Sequence, residues 1–333
     1  MFWIASMTKA VVSVAALGLI ERGELELEQP VAEVLPAFGE LAILDGFDGD
    51  VPRLRPATWP VALRHLLTHT SGCGYWFDNP EVLRYHRVAG VPDPLSGSAE
   101  MLRVPRLFEA GERWEYGTSV DWLGLVVEKV GGVDLNTRLR ACICEPLGMF
   151  DMTFDPSAAE RERLMAIYDA RPGQPLSLSS IALPQEQEIW SGGGGLYSTA
   201  GDYLRFMRAL LRGGELDGER ILRPETVELA FTDHLQGVPL PVDGTHSAVS
   251  ELTNDVPALP FKQGFGLGFS LVLEGIPGMR RAGSGNWAGL CNSYFWIDPA
   301  TGIAAMLMTQ ILPFFDDGVV QTLLGFEAVV YAA

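Results

Sequence analysis

The first twenty residues contain a long apolar run. The tetrapeptide S-M-T-K at 6–9 is followed by the mostly apolar segment Ala10–Ile20, and Glu21 then opens a charged stretch. A secretory signal is the alternative interpretation, but no basic cluster precedes the run and no small-x-small cleavage site follows it. The run is also too short to cross a bilayer. The pattern therefore predicts a buried helix that begins near Ser6 and ends at Gly23.

Helical spacing of apolar residues recurs through the first half of the chain. It predicts short helices at about 61–69 and 119–131, and one or two more within 134–170. Residues 30–60 are rich in proline and are expected to be extended connections. Further prolines predict long loops between the helices: Pro80, Pro92, Pro94 and Pro105.

The second half of the chain changes from helical spacing to strand-like runs. Four glycines at 192–195 lead into a helix whose start is marked by Thr199 and Asp202, a variant of the capping box. The apolar face of this helix carries Tyr203, Phe206, Met207, Leu210 and Leu211. After Lys262 the pattern predicts strands at Phe265–Leu273, Tyr294–Ile297 and Ile303–Thr309, a hairpin turn at 298–302 and a closing helix at 314–331.

The order of these elements predicts an α/β (α+β) chain with two interleaved domains. Residues 1–54 and 186–333 are expected to form an α/β domain with the first helix and the sheet, and residues 55–185 a helical domain. A chain of 333 residues, 47% of them apolar, is long enough to bury an ample core in this arrangement.

Charge and cysteine content exclude several classes of protein. Acidic residues outnumber basic ones by 42 to 24, for a net charge of −18. Such a surface repels phosphate backbones and anionic lipid heads, so we expect neither a nucleic acid nor a membrane as a partner. Four cysteines in a chain of this length do not form a disulfide framework. A reducing compartment, the cytoplasm, is the expected location.

No motif of metal or nucleotide chemistry is present. The sequence has no H-E-x-x-H, no Walker A motif, no G-x-G-x-x-G that opens a helix after a strand, and no G-x-S-x-G nucleophile elbow. The five histidines show no ligand spacing, and no pattern marks a Ser-His-Asp triad. The glycines at 192–195 lack the Lys-Ser/Thr of a phosphate loop and predict a tight turn that brings the backbone near a cleft. We expect neither a cofactor nor a metal.

A serine and a lysine are spaced one helical turn apart at the start of the first helix. At positions i and i+3, Ser6 and Lys9 face the same way, and the helix N-terminus stabilises negative charge on the serine oxygen. A desolvated lysine with a depressed pKa can remove the serine proton, which arginine cannot do. The chain has three lysines against 21 arginines, so a lysine at this position is notable. The alternative is a helix-initiating serine beside a lysine whose stem covers apolar surface.

Five segments in a fixed order resemble a known superfamily. They are S-M-T-K at 6–9, L-L-T-H-T-S-G at 66–72, Y-G-T at 116–118, G-G-G-G-L-Y-S-T-A at 192–200 and W-A-G at 287–289. The series resembles the class C β-lactamase-like serine hydrolases and, within them, the family VIII carboxylesterases, over residues 1 to about 313. The resemblance implies the β-lactamase/penicillin-binding-protein fold, an antiparallel sheet with flanking helices plus a helical domain, with the site between them.

The resemblance also assigns catalytic roles. Ser6 matches the nucleophile, Lys9 its paired base and Tyr116 the tyrosine that shares the proton transfer, while the N–H groups of Ser6 and Leu290 match the oxyanion hole. A phenol near an ammonium is expected to lose its proton more readily, so Tyr116 and Lys9 would titrate as a pair. Which of the two deprotonates Ser6 stays open. The alternative for Tyr116 is a core aromatic residue beside neighbouring tryptophans.

Substrate-binding residues follow from the same resemblance. Trp287 stands where β-lactamases carry a lysine, Thr118 stands where they usually carry asparagine, and the small Gly289 lets a strand edge approach the substrate. An indole offers apolar area and one N–H instead of a cation, so the site is expected to prefer neutral esters to β-lactams. The alternative for Trp287 is a buried strand residue, and His69 is expected to be structural.

One departure from the family concerns the N-terminus. In the family some tens of residues precede the nucleophile and supply a helix and two strands, whereas five residues precede Ser6 here. The two N-terminal strands of the family are therefore expected to be missing, which would leave one edge of the sheet unpaired.

The sequence predicts a cofactor-free serine carboxylesterase that acts on short-chain esters as small-molecule partners. Three alternatives stay open: a β-lactamase or D-Ala-D-Ala carboxypeptidase, an acyltransferase, and an inactive binding protein. The oligomeric state is not predicted.

Overall fold

The computed structural model describes residues 1–184 and 186–332. The α-helices are α1 Thr8–Glu21, α2 Val31–Val34, α3 Pro36–Gly39, α4 Leu63–Leu67, α5 Pro80–Ala89, α6 Ser119–Gly131, α7 Leu135–Leu139, α8 Ala158–Arg161, α9 Ala200–Leu211, α10 Pro224–Ala230 and α11 Asp317–Ala332. Short 3₁₀ helices lie at Ala5–Met7, Pro94–Ser96 and Ala99–Leu102, and a π-helical turn at Arg140–Cys144. The strands are β1 Phe2–Trp3, β2 Ile43–Asp48, β3 Val51–Arg55, β4 Tyr168–Asp169, β5 Ser177–Leu178, β6 Tyr197–Ser198, β7 Glu215–Leu216, β8 Glu219–Arg220, β9 Gln263–Phe265, β10 Ser270–Val272, β11 Gly285–Gly289, β12 Ser293–Asp298, β13 Ile303–Leu307 and β14 Ile311–Leu312.

Helix α1 is the central element of the core. Every side chain from Thr8 to Leu19 is buried, as expected for a helix that is apolar on all its faces. The 3₁₀ turn Ala5–Met7 leads directly into it, so Ser6 lies just before the first turn of the helix. The predicted buried helix near Ser6 is confirmed.

A five-stranded antiparallel sheet lies between two layers of helices. Its strand order is β13-β12-β11-β10-β9. Side chains of β12 alternate between the two faces: Phe295 joins the core cluster of α1 and α9, while Trp296 joins the cluster of α11. The predicted antiparallel sheet with flanking helices is confirmed, including the hairpin turn between β12 and β13.

In the described part of the chain, the sheet has the unpaired edge that the sequence predicted, but the opposite edge is formed by a hairpin instead of one strand. Within the described residues, β13 pairs with β12 alone, and β1 pairs with β6 instead of joining the sheet. The single strand predicted at Phe265–Leu273 is wrong, because two glycines turn the chain into the β9–β10 hairpin. Gly268 has a φ of +95°, and a Cβ on Gly266 would lie 2.1 Å from the Ala230 carbonyl oxygen.

Most of the regular elements in residues 55–185, the predicted helical domain, are helices. Helices α4, α6 and α7 pack with α1 in one core cluster. The predicted helix at 119–131 is confirmed as α6, whereas the long loop predicted after residue 80 is wrong: Asn79 caps α5 and Pro80 occupies its first turn.

Residues 30–60 are also more structured than predicted. They form α2, α3 and the β2–β3 hairpin instead of extended connections. The predicted domain boundary at residue 54 falls inside β3, and the division into two domains stays a prediction. Over residues 1–184 and 186–332, no helix combines the length and apolarity that a bilayer crossing requires.

Candidate active site

Three residues that the sequence singled out meet at one hydroxyl. The Tyr116 hydroxyl donates a hydrogen bond of 2.6 Å to Ser6 Oγ, and Lys9 Nζ lies 3.1 Å from the same oxygen. Ser6 lies in the 3₁₀ turn Ala5–Met7 and Lys9 three residues later in the first turn of α1, so the amine can reach the hydroxyl. Tyr116 comes from the segment that precedes α6, so the cluster joins the first helix to the helical insert.

The Lys9 amine is buried and has three neighbours. Besides Ser6, it donates to the Gly193 carbonyl oxygen at 2.6 Å and to Tyr75 Oη at 3.1 Å. Burial lowers the pKa of Lys9 from 10.5 to about 7, although the negative charges of Asp121 and Asp78 act in the opposite direction. A neutral amine is therefore well populated near neutral pH, which general-base chemistry requires.

The phenol of Tyr116 behaves differently from the prediction. Its ring packs against aromatic neighbours, with centroid distances of 5.1 Å to His69 and 5.2 Å to Trp287. Burial raises the pKa of Tyr116 above its usual value, and hydrogen bonding with Ser6 and Trp287 only partly offsets this. The expectation that the phenol loses its proton more readily is wrong, because desolvation outweighs the hydrogen bonds that favour the charged form. Of the two groups, Lys9 is the one suited to act as the base.

The glycine loop at 192–195 packs directly against this cluster. A Cβ on Gly192 would lie 2.5 Å from the Val120 carbonyl oxygen, and a Cβ on Gly193 would lie 2.3 Å from Asp121 Oδ2. Only a loop without side chains can approach α6 this closely. The approach places the Gly193 carbonyl at Lys9, so the predicted close turn is confirmed, and its task is to supply an acceptor for the amine.

Sequence reasoning missed two polar residues behind Lys9. Tyr75 donates from its hydroxyl to Asp121 Oδ2 at 3.1 Å, and both side chains are buried. Asp121 Oδ1 also accepts from Ser191 Oγ at 2.6 Å and from the Gly193 N–H at 3.0 Å. The available signal was an aspartate in the apolar first turn of the helix predicted at 119–131, where a buried carboxylate requires partners.

The two N–H groups assigned to the oxyanion hole lie beside one cavity. Ser6 and Leu290 both line it, and within the described residues neither amide N–H has a hydrogen-bond partner. Gly289 is buried, and a Cβ there would lie 2.4 Å from the Ile4 carbonyl oxygen. Gly289 thus makes room for the protein's own backbone next to Ser6, and its role in the approach to the substrate stays a prediction.

The remaining predicted residues surround the cluster at different depths. Trp287 is half-buried on β11, and its ring is stacked on His69 at 6.3 Å. His69 is buried and contacts the ring of Tyr116, so it packs against the site residues. Thr118 is buried at the start of α6 and is not among the described residues that line the cavity.

The cavity next to Ser6 has a volume of about 50 Å³ and mostly apolar walls. Its apolar lining comprises Trp3, Ala5, Trp76, Phe77, Leu95, Met101, Leu183 and Leu290, and its polar lining includes Ser6, Tyr75, Asp121, Gln187 and Ser191. None of the described lining residues is a lysine or arginine. In the part of the chain that the structure describes, no three histidine, cysteine or acidic residues come together as a metal site.

Fold and site together define a class. A helix that carries Ser-x-x-Lys, an antiparallel sheet and a helical insert form the β-lactamase/penicillin-binding-protein fold, and the protein is an enzyme of the serine β-lactamase-fold class. The chain belongs to the Beta-lactamase family, whose model matches residues 1–329. This agrees with the class C β-lactamase-like superfamily that the motifs indicated.

Known relatives include enzymes of acyl transfer and of ester cleavage. Monacolin J acid methylbutanoyltransferase of Aspergillus terreus is 32% identical over 99% of this chain and 81% of its own length. Lovastatin esterase of Penicillium rubens is 30% identical over 93% of this chain and 80% of its own. A variant of simvastatin synthase from Aspergillus terreus has a TM-score of 0.86 and 29% identity, over 99% of this chain and 82% of that structure.

Proposed function

We propose that the protein is a serine acyltransferase, which takes a short neutral acyl group from an ester onto Ser6 and passes it to an alcohol. The observation that carries the proposal is the Lys9–Ser6–Tyr116 cluster, whose Ser6 lines an apolar cavity. The relatives named for methylbutanoyl transfer support transfer over the hydrolysis expected from the sequence. Hydrolysis by the same acyl-enzyme is the second candidate, because another relative is named as an esterase.

The distances within the cluster support the following course for acylation of Ser6. The neutral Lys9 amine takes the Ser6 proton as Oγ bonds to the acyl carbon, and the N–H groups of Ser6 and Leu290 donate to the oxyanion. The bond from the acyl carbon to the leaving oxygen then breaks, and the leaving oxygen takes the proton from the Lys9 ammonium. The Tyr116 hydroxyl, 2.6 Å from Ser6 Oγ, is a second donor in reach of that atom.

Deacylation runs through the same groups in reverse. An acceptor alcohol gives its proton to Lys9 as its oxygen attacks the acyl carbon, and Ser6 Oγ leaves with that proton. Water in place of the alcohol gives the free acid. One base thus serves both half-reactions, because Lys9 is neutral again after each.

The lining of the cavity supports neutral acyl groups. A β-lactam or a D-Ala-D-Ala peptide carries a carboxylate that a cation would bind, and none of the described lining residues is a lysine or arginine. Apolar side chains gain free energy from covering an alkyl chain, while an unpaired carboxylate there would lose its hydration. We therefore propose neutral short-chain esters as substrates in preference to penicillins.

The partners and the location complete the proposal. The net charge of −18 supports a small-molecule ester as the partner, with neither nucleic acid nor membrane. All four cysteines are free thiols, and three of them are buried, which supports a reducing compartment such as the cytoplasm.

Product partitioning tests the proposal. The enzyme is incubated with p-nitrophenyl butyrate, with and without a primary alcohol, and nitrophenolate, butyric acid and the new ester are quantified. Transfer predicts that the alcohol diverts the product to the ester and accelerates nitrophenolate release if deacylation limits the rate. If butyric acid is the only product, the proposed transfer is wrong and the protein is a hydrolase.

A fluorophosphonate probe separates an enzyme from an inactive binding protein. The wild type is expected to be labelled and the Ser6→Ala variant not. An unlabelled wild type would contradict the proposed function, and turnover of a chromogenic cephalosporin as fast as that of the ester would favour a penicillin-directed enzyme.

A further inference from the structure

Asp121 holds three hydrogen-bond donors behind the catalytic amine. Its carboxylate is 2% exposed and accepts from the Tyr75 hydroxyl, the Ser191 hydroxyl and the Gly193 N–H. A carboxylate can only accept, and a tyrosine hydroxyl has a single hydrogen. The hydrogen of Tyr75 is therefore committed to Asp121, and Tyr75 Oη is left to Lys9 as an acceptor.

This commitment decides how the neutral Lys9 amine is oriented. A neutral amine has two N–H groups and one lone pair. The Gly193 carbonyl oxygen at 2.6 Å accepts one N–H, and Tyr75 Oη at 3.1 Å accepts the other. The third neighbour, Ser6 Oγ, then faces the lone pair. This is the arrangement in which the amine can remove the Ser6 proton.

The geometry points to Asp121 as a positioning residue that fixes, through the Tyr75 hydroxyl, the direction in which the lone pair of Lys9 faces. The inference rests on the proposed function, because it concerns the base of that reaction. It gives the hydrogen bonds one polarity: Tyr116 donates to Ser6, Ser6 to Lys9, Lys9 to Tyr75, and Tyr75 to Asp121. A low local dielectric makes such a connected network sensitive to the reversal of any one member.

The Asp121→Asn variant reverses the direction of the hydrogen bond between Tyr75 and residue 121 without changing the shape of the side chain. An amide oxygen in the place of Oδ1 keeps the donors Ser191 and Gly193, while the amide NH₂ in the place of Oδ2 donates to Tyr75 Oη. The Tyr75 hydrogen must then point at the lone pair of Lys9, which is withdrawn from Ser6. We expect kcat to fall by about 10²-fold, a typical contribution of a general base, with KM nearly unchanged.

The pH profile gives a second readout. The charges of Asp121 and Asp78 raise the pKa of Lys9 against the effect of burial, and Asp78 is present in both the wild type and the Asp121→Asn variant. Removal of the Asp121 charge is expected to move the acidic limb of the kcat/KM profile to lower pH, while the plateau falls. A purely structural defect would lower the plateau without moving the limb.

A double-mutant cycle with Tyr75→Phe tests the route through Tyr75. Without the Tyr75 hydroxyl, Asp121 has no hydrogen to orient, so Asp121→Asn is expected to cost less than about threefold in kcat in that background. If Asp121 only supports the glycine loop, Asp121→Asn costs the same factor in both backgrounds, and the inference is overturned. An unchanged kcat in Tyr75→Phe alone also overturns it, and this result needs no folded Asp121 variant.

Asp298 offers a matched control. It is also a fully buried aspartate that accepts from a tyrosine hydroxyl, Tyr331 at 2.8 Å, and from backbone N–H groups, one of them that of Arg281 at 2.9 Å. Asp298→Asn makes the same chemical change away from the cavity and is expected to lower Tm with kcat and the pH profile unchanged. An inactive wild type would contradict the proposed function, whereas an active wild type without coupling contradicts this inference alone.

Discussion

In the proposed mechanism, the protonation state of a single amine sets the pH range in which the enzyme works. Lys9 acts as a base only when it is neutral, and its pKa is about 7. We therefore expect kcat/KM to rise as the pH rises through about 7 and to level off above it, because the profile of kcat/KM reports the free enzyme. The measurement is initial rates with a p-nitrophenyl ester from about pH 5 to about pH 9.

Arginine at this position provides the matched control for that profile. Lys9→Arg keeps a positive charge but cannot give up its proton, so activity is expected to fall by about 10²–10⁴-fold at every pH. In the wild-type enzyme, an acidic limb of the kcat/KM profile near the ordinary lysine pKa of 10.5 would show that the Lys9 amine is not desolvated in solution.

The residues of the site differ in how visible they are in the sequence. The structure brings Ser6, Lys9 and Tyr116 together as the motifs predicted, and Lys9 follows Ser6 by three residues where the 3₁₀ turn leads into α1. Tyr75 and Asp121 were missed, since they lie 46 residues apart and only tertiary packing joins them. The acidity of the phenol was predicted with the wrong sign, because burial among aromatic rings cannot be read from neighbouring residues.

Among the elements, the glycine loop places the tightest geometric demand on the site. In Gly193→Ala the new Cβ would lie 2.3 Å from Asp121 Oδ2 and 2.5 Å from Tyr75 Oη. The loop must move, and Lys9 then loses a well-placed carbonyl acceptor. We expect kcat/KM to fall by about tenfold or more, equivalent to about 1.4 kcal/mol, together with a lower Tm.

Gly201→Ala is the control for this substitution. Gly201 lies in α9, and the nearest atom to its added Cβ is 3.9 Å away. Alanine is a better helix former than glycine, so Tm is expected to stay or rise with kcat/KM unchanged. Equal effects of the two substitutions would refute the crowding argument.

The elements were predicted best where one signal dominates. Helix α6 matched residue by residue, because an apolar stripe is closed by Gly131 and Gly132. Helix α5 was missed because Pro80 was interpreted as a breaker, although proline suits the first turn when Asn79 caps the helix. The β9–β10 hairpin was merged into one strand, since its turn depends on contacts with distant residues such as Ala230.

For the molecule as a whole, we expect some residues to contribute to stability without affecting activity, and the contact between α11 and the sheet is such a case. Helix α11 is tied to the far side of the sheet by Arg280 and Glu327, whose atoms Nε and Oε1 are 2.7 Å apart, and Glu327 is 1% exposed. Removing one partner leaves a buried charge uncompensated. Glu327→Ala is therefore expected to lower the free energy of unfolding by about 3–5 kcal/mol in urea titrations, with kcat per folded molecule unchanged.

An exposed ion pair calibrates this result. Arg22 and Glu24 form a pair with side chains 44% and 41% exposed, and Glu24→Ala is expected to cost less than about 1 kcal/mol. A similar cost for Glu327→Ala would mean that α11 is not held by its buried charge, and a loss of kcat would mean that the sheet transmits strain to Ser6.

The division of the cavity into an apolar wall and a polar rear has a consequence for laboratory evolution. Leu95, Met101 and Leu183 contribute only apolar side chains to the wall of the cavity, so their substitutions are expected to change which acyl donors fit, with effects that couple through the shared cavity. Substitutions among the donors and acceptors behind Ser6 are expected to have non-additive effects on kcat, since the direction of each hydrogen bond depends on the next one. Libraries that vary the wall and leave the rear intact are therefore the ones expected to retain a working nucleophile while the donor scope changes.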